Sequence, residues 1–192
     1  MAHKEEMVDI WLGSRPKSEL ILDLGGNAGR FSAIASKYSK NVILVDNDHD
    51  SVELAAREFD NRGIANTHSA LLDLTDPFTG RGWAGCERPG FYDRIKPQIS
   101  LALALIHHLV IGAGIPMERV AAHFRDITPS LIIEFIPPGD PMVDLLSTNK
   151  KGQHHEYSLE KFEQAFTGQF SMKHKRELSG SGRVLYEFTA ES

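Results

Sequence analysis

A chain of 192 residues is long enough to bury one sheet between helical layers and short for two domains, so residues 1–192 read as a single domain. With 41% hydrophobic and 24% charged residues, and neither low-complexity tract nor fixed-period repeat, it is neither disordered nor solenoidal. A net charge of -5 disfavours nucleic acid as a main partner, and the single cysteine, Cys86, excludes an internal disulfide, thiolate zinc sites and cysteine-held iron–sulfur clusters.

In chain order, charged residues at positions 3–6 stand where a secretory signal needs an apolar core, which predicts a cytoplasmic protein. Glu19-Leu20-Ile21-Leu22-Asp23-Leu24 is an apolar run broken by Gly25-Gly26, and Asn41-Val42-Ile43-Leu44-Val45-Asp46 is a β-branched run ending in acid. Both read as buried parallel strands. Phe31, Ile34, Ala35 and Tyr38 recur at helical spacing between them, and Val52, Ala55, Ala56 and Phe59 repeat the pattern behind an Asp50-Ser51 start signal. A third strand is predicted at 67–72, a fourth at 99–106 and a fifth at 130–136. The apolar run 99–115 carries His107 and His108 centrally and is shorter than the roughly 20 residues of a membrane span, so it reads as a strand followed by a turn, with no membrane. Pro116 opens a helix with Met117, Val120, Ala121 and Phe124 on one face, and Ser158 caps another bearing Leu159, Phe162 and Phe166. Two last strands, 170–178 and 183–189, are joined by Ser179-Gly180-Ser181-Gly182, a link too short for anything but antiparallel pairing.

The alternation predicts an α/β fold: a doubly wound, Rossmann-like, seven-stranded sheet, mostly parallel, closed by a C-terminal antiparallel hairpin, with helices on both faces. Ligands of such sheets bind at the carboxyl ends of the strands. The long irregular segments 73–97 and 137–157 flank that edge, and loops of such length are often functional.

Asp23-Leu24-Gly25-Gly26-Asn27-Ala28-Gly29 sits at the handover from first strand to first helix, where glycines let backbone approach a ligand. A phosphate-binding turn has no use for an acid at Asp23, whereas a ligand with an ammonium and a sulfonium is attracted by one, so the charge pattern favours S-adenosylmethionine. Asp46 at the end of the second strand suits a ribose diol, and Asp73 at the end of the third suits an adenine amino group. A nicotinamide-dependent oxidoreductase is disfavoured, because GxGxxG is absent and Asp23 opposes a pyrophosphate.

Through 21–29, Val45-Asp46, Leu72-Asp73 and Leu103-Ala104-Leu105-Ile106-His107-His108-Leu109, nearly the whole chain resembles the class I S-adenosylmethionine-dependent methyltransferases. With Gly82-Trp83, Glu87-Arg88-Pro89 and Ile132-Ile133-Glu134-Phe135 it is similar, more narrowly, to bacterial methyltransferase domains of nodulation proteins. The resemblance implies cofactor contacts from Asp23, Gly25, Gly26, Asn27, Gly29, Asp46, Asn47, Leu72 and Asp73. Asn27 stands where many members have glycine, and Gln98 where many begin the fourth strand with aspartate.

His107 and His108 are the catalytic candidates, one of them taking a proton from a hydroxyl or amine acceptor; the alternative is that they only shape the pocket. Glu134 reads as a hydrogen-bonded strand residue rather than a metal ligand, and adjacent histidines on a strand would point apart. His154 and His155 read as a solvated loop pair. Trp83, Glu87 and Arg88 either contact substrate or, in the case of Trp83, anchor the loop to the core. The acceptor is a small or carrier-bound molecule, and with few residues ahead of the first strand the cleft is left to segments 73–97 and 137–157 to close, so it is either open or covered by a partner domain or a second copy. The alternative function is a cofactor-binding regulatory or interaction module without transferase activity, which Asn27 and Gln98 motivate.

Overall fold

In the computed structural model, residues 2–77, 79–147 and 157–191 are described. Contacts gather the chain into two compact units, residues 7–100 and residues 101–192 together with 1–6. Seven strands make one sheet in the order β3-β2-β1-β4-β5-β7-β6, and the class is the α/β class predicted above. Among the described residues no helix is long and apolar enough to cross a membrane.

In the first unit, β1 (Ser18–Leu24), β2 (Ser39–Asp46) and β3 (Thr67–Leu71) are parallel, with Leu24 opposite Val45 and Asp46 opposite Leu71. Ile21, Leu22 and Leu24, and Val42, Leu44 and Val45, are fully buried, as continuous apolar runs in a parallel sheet should be. Helices α2 (Arg30–Ala35) and α3 (His49–Asn61) pack on β1, β2 and β3. The buried residues of α2 are Ser32, Ala33 and Ala35; of the predicted stripe Phe31, Ile34, Ala35 and Tyr38 only Ala35 is buried, and the helix ends there, before Tyr38.

The cap of helix α3 lies two residues ahead of its predicted signal. Asp48 is the cap, accepting from the Asp50 amide, and Ser51, Ala55 and Phe59 form the buried stripe. Its end is a Schellman turn: Gly63 takes φ +65°, its amide donates to Asp60 O, and the Ile64 amide donates to Phe59 O at 2.9 Å. Ile64 and Val52 pack on the cluster Ala33, Leu44, Ala55 and Phe59, so the same turn that stops the helix closes the core under it. The segment 73–97 is less irregular than predicted: it holds an Arg81–Arg88 bridge, a 3-10 turn at Trp83–Gly85 and the short α4 (Phe91–Arg94).

A helix at the N-terminus, α1 (Ala2–Gly13), adds to the predicted elements. It buries Lys4, Val8, Trp11 and Leu12, which recur at helical spacing. Strand β4 is only Ile99–Ala102, shorter than the predicted 99–106. Ala104 takes φ 55°, which no strand tolerates, and Leu105 O then accepts from His108 N and Leu109 N as a helical turn begins. A π-helical turn follows at His108–Gly112, with the wide bond Ala113 N to His108 O at 2.8 Å. A buried apolar run has no alternation to tell strand from helix, so the sequence does not mark this break.

In the second unit, β5 (Ser130–Phe135) pairs antiparallel with β7 (Val184–Thr189), which pairs antiparallel with β6 (Ser171–Glu177). Tyr186 and Phe188, two residues apart, share one face of β7, their rings 5.5 Å apart and nearly parallel. They meet Phe162 and Phe166 of α7 (Leu159–Thr167), whose Ser158 cap accepts from Lys161 N as predicted. Phe124 of α5 (Met117–Ile127) extends the cluster to Phe166. Edge strand β6 is exposed and carries Lys173, Lys175 and Arg176, charges that discourage pairing with another chain. Within the predicted loop 137–157 lies a short helix, α6 (Pro141–Ser147). His154 and His155 lie outside the described residues.

Candidate functional site

The turn between β1 and α2 is built by backbone that few residues adopt. Gly25 has φ 68°, Asn27 φ 47° and Gly29 φ 80°. Asparagine is among the few residues besides glycine that occupy this region at small cost, so the departure at 27 preserves the turn. Asn27 Oδ1 also accepts from the Ala28 amide. Gly26 and Gly29 are held by packing: a Cβ at 26 would lie 2.6 Å from Leu44 Cγ, and one at 29 would lie 2.4 Å from Phe59 Cζ.

Every amide of this turn is engaged within the protein. The Gly25 and Gly26 amides donate to Val45 O, Asn27 N to Asp46 Oδ2, Ala28 N to Asn27 Oδ1, and Gly29 N to Gly26 O. A pyrophosphate site works by offering free N–H groups to phosphate oxygens, and this turn offers none.

Acceptor groups are what the site presents. Asp46 is half-buried, and its carboxylate is steered by two backbone donors, Asn27 N to Oδ2 at 2.9 Å and Asp48 N to Oδ1 at 3.0 Å. A carboxylate has about four lone-pair positions, so each oxygen retains capacity for an outside donor such as a ribose hydroxyl. Asp73 is exposed; its Oδ1 accepts from the Thr75 hydroxyl and amide, which hold the carboxyl below its ordinary pKa. Oδ2 takes neither of these bonds. Asn47 is exposed next to Asp46, and the Leu72 side chain is buried while its amide donates to Asp46 O at 2.8 Å, linking the ends of β2 and β3.

Asp23 is placed differently from the direct contact expected of it. It is 1% exposed, and Oδ2 accepts from Ser32 Oγ at 2.6 Å. Its carboxyl group lies under the turn, close enough that a Cβ on Gly26 would stand 2.9 Å from Oδ2. Gln98 joins two strands: Leu20 N donates to its Oε1, and its own backbone amide donates to Leu20 O, stitching β1 to the start of β4.

In the other unit, His107 and His108 do not end a strand. They lie in the helical turn after β4, with ring centroids 4.3 Å apart, so the opposite orientation expected of strand neighbours does not hold. His107 is fully buried with neither ring nitrogen hydrogen-bonded. Burial, then the neighbouring His108 and Arg183, lower its pKa to about 4 against the pull of Asp140. A neutral, enclosed imidazole of that kind is a poor proton acceptor near neutrality, whereas His108 is exposed. Glu134 is a buried strand residue whose Oε2 accepts from Lys4 Nζ at 2.8 Å. Among the described residues, no group of three or more His, Cys, Asp or Glu is placed to hold a metal ion. Trp83 is 86% exposed, which overturns its reading as a core anchor: the 3-10 turn that carries it buries none of its residues.

By architecture and by the layout of the turn and its acids, the chain has the fold of the class I S-adenosylmethionine-dependent methyltransferases. The N-methyltransferase NodS of Bradyrhizobium japonicum WM9, solved with S-adenosyl-L-homocysteine, superposes with a TM-score of 0.72 at 12% identity, over 98% of this chain and 86% of that one. Magnesium protoporphyrin IX methyltransferase of Synechocystis PCC 6803, also with bound S-adenosylhomocysteine, gives 0.67 at 15% identity, over 99% and 84%. In sequence, the chain is 33% identical over 176 residues to nodulation protein NoeA of Rhizobium meliloti (strain 1021), covering 90% of this chain. It spans 36% of that relative's length. No protein-family model matches the chain.

Proposed function

We propose that this chain is an S-adenosylmethionine-dependent methyltransferase acting on a small or carrier-bound acceptor, as one cytoplasmic, bacterial domain with a partner domain or second copy over its cleft. The reading is carried by the turn at 25–29: its amides are all engaged internally while Asp46 and Asp73 present acceptors, the reverse of a phosphate cradle. The donor set of a cationic nucleoside fits these residues. S-adenosylmethionine supplies, when bound, a methyl group activated on a sulfonium.

The chain's own residues hold and orient. Asp46, fixed by the Asn27 and Asp48 amides, accepts the ribose hydroxyls; Asp73 accepts the adenine amino group; the turn of Gly25, Gly26, Asn27 and Gly29, all but Gly26 at positive φ, gives the methionine end a backbone wall. Asp23 braces the turn from below, through Ser32, rather than acting as a direct ligand, and Asn47 and Leu72 flank the ribose and adenine positions. His108 takes the acceptor's proton if the acceptor needs one. Methyl transfer is an in-line displacement that gains most from positioning and exclusion of water, so the base is an accessory.

Isothermal titration with S-adenosylhomocysteine tests the reading. Binding is expected, and Asp46→Ala should weaken it at least tenfold, about 1.4 kcal/mol or more. Absence of heat with either S-adenosylhomocysteine or S-adenosylmethionine removes the reading. A second one, a cofactor-binding module that transfers nothing, is favoured by the burial of His107. A methylated product from a panel of hydroxyl and amine acceptors, lost in His108→Ala, disposes of it.

A further inference from the structure

The unit of residues 101–192 and 1–6 contains a cavity of 520 Å³ lined by α1, the end of β5, the loop leading into α6 and the β6–β7 turn. That volume lies in the range of sites that enclose a small organic ligand. Its charged lining residues, among the described ones, are Lys4, Glu134, Asp140 and Arg183. Lys4 Nζ donates to Glu134 Oε2 at 2.8 Å, and Arg183 grips Asp140 through Nε at 2.8 Å and Nη2 at 3.1 Å. The guanidinium holds the Asp140 carboxyl below its usual range, and Asp140 raises the pKa of Arg183 in return.

One polar atom in this arrangement has no hydrogen bond. Glu134 is fully buried, and its Oε1 accepts no hydrogen bond from the described residues; its ion-pair partner, Arg183 Nη1, is 3.8 Å away, beyond hydrogen-bond reach. Buried carboxylate oxygens in native proteins are almost always hydrogen-bonded, because a bare one forfeits its hydration with nothing in return. The oxygen calls for a donor from whatever fills the cavity.

The charge balance selects the donor. Among the described lining residues, Lys4 and Arg183 already face carboxylates and the His3 ring is bonded to Ser179, so a free anion meets Glu134 and Asp140 there. An ammonium is opposed by Lys4 and Arg183 on either side of Glu134. A neutral hydroxyl meets neither penalty. Pro137, Pro138 and Pro141 add apolar surface for carbon-bound hydrogens, and the Ser179 and Ser181 hydroxyls stand at the turn. We infer that this cavity binds a neutral polyhydroxylated molecule of about one or two sugar rings, with a ligand hydroxyl donating to Glu134 Oε1.

The test uses the whole chain and saturation-transfer NMR with titration, on a panel of neutral sugars and polyols (methyl glucoside, maltose, cellobiose, inositol) beside the charged congeners glucosamine and glucuronate. At least one neutral compound is expected to bind, at least tenfold tighter than both charged congeners. Glu134→Gln should weaken it tenfold or more. Because removing Lys4's partner risks the fold, Ser179→Trp is the second variant: residue 179 is exposed, lines the cavity and belongs to neither ion pair, and an indole there adds bulk at the expense of the Ser179–His3 hydroxyl bond. Binding lost in Ser179→Trp with an unchanged melting temperature supports the assignment. No neutral compound binding, equal binding of the charged congeners, or full binding in Ser179→Trp overturns it. S-adenosylhomocysteine titration is read separately and is expected to be unchanged in Ser179→Trp, so either result can fail without the other.

Discussion

Asn27 shows how a single residue decides whether a turn survives a change of sequence. At φ 47° most side chains meet their own backbone, yet asparagine tolerates the conformation, and here its Oδ1 also takes the Ala28 amide. Asn27→Gly should therefore be close to neutral, within about 1 kcal/mol, since glycine gains the conformation and loses the side-chain bond. Asn27→Val should destabilise by about 1–3 kcal/mol, because a β-branched residue is strained there. Urea denaturation of the two variants measures both, and equal stabilities would contradict this account. From the sequence, Asn27 reads as a departure from glycine and Gln98 as a departure from aspartate; the conformation of one and the two bonds of the other to Leu20 require coordinates. Asp23 is legible as an acid before glycines. Its burial against Ser32 is not, because a hydrogen bond across nine positions leaves no periodic trace.

At the scale of elements, the α2–α3 layer stands on a few tight contacts. Phe59 is 3% exposed, it closes the Schellman turn with Ile64, and it fills the space that a side chain at Gly29 would need. Phe59→Ala should cost about 3–5 kcal/mol, the range for emptying a buried aromatic site. Gly29→Ala should be destabilising for two reasons, the left-handed φ and the contact with the ring, by about 1–3 kcal/mol. In Phe59→Ala the ring is gone, so adding Gly29→Ala there should cost less than in the native chain, and a double-mutant cycle in denaturant reads the difference. Additive losses would show that the ring does not set the constraint at Gly29. Strands with β-branched runs and helices with a buried stripe are legible because each repeats at its own period. Helix α1 is harder to see: Val8, Trp11 and Leu12 carry the helical spacing, but the charged residues ahead of them speak first about export. The turn at His108–Gly112 is hidden for the opposite reason: in a run of apolar residues no period stands out.

For the whole molecule, His107 ties stability to pH. In the unfolded chain it titrates near the ordinary 6.5 and in the folded protein at about 4, so across that interval the unfolded state binds more protons. Stability is full above the higher value and falls as pH drops towards the lower one, by up to about 3 kcal/mol from this residue. Denaturant midpoints at about pH 7.5 and about pH 5 should differ, and His107→Gln should reduce the difference; an unchanged slope in that variant would remove His107 as the cause. The sequence by itself determined the order of the seven strands and of helices α2, α3, α5 and α7 among them, the α/β class and the run of acids and glycines after the first strand, because local periodicity and turn chemistry act over neighbouring residues. Only the tertiary structure decided that the turn's amides are engaged, that Asp23 lies beneath it, that His107 is enclosed, and that Lys4 meets Glu134 from 130 positions away. Those facts depend on which distant groups share a low-dielectric interior, and that is settled by packing rather than by the spacing of residues along the chain.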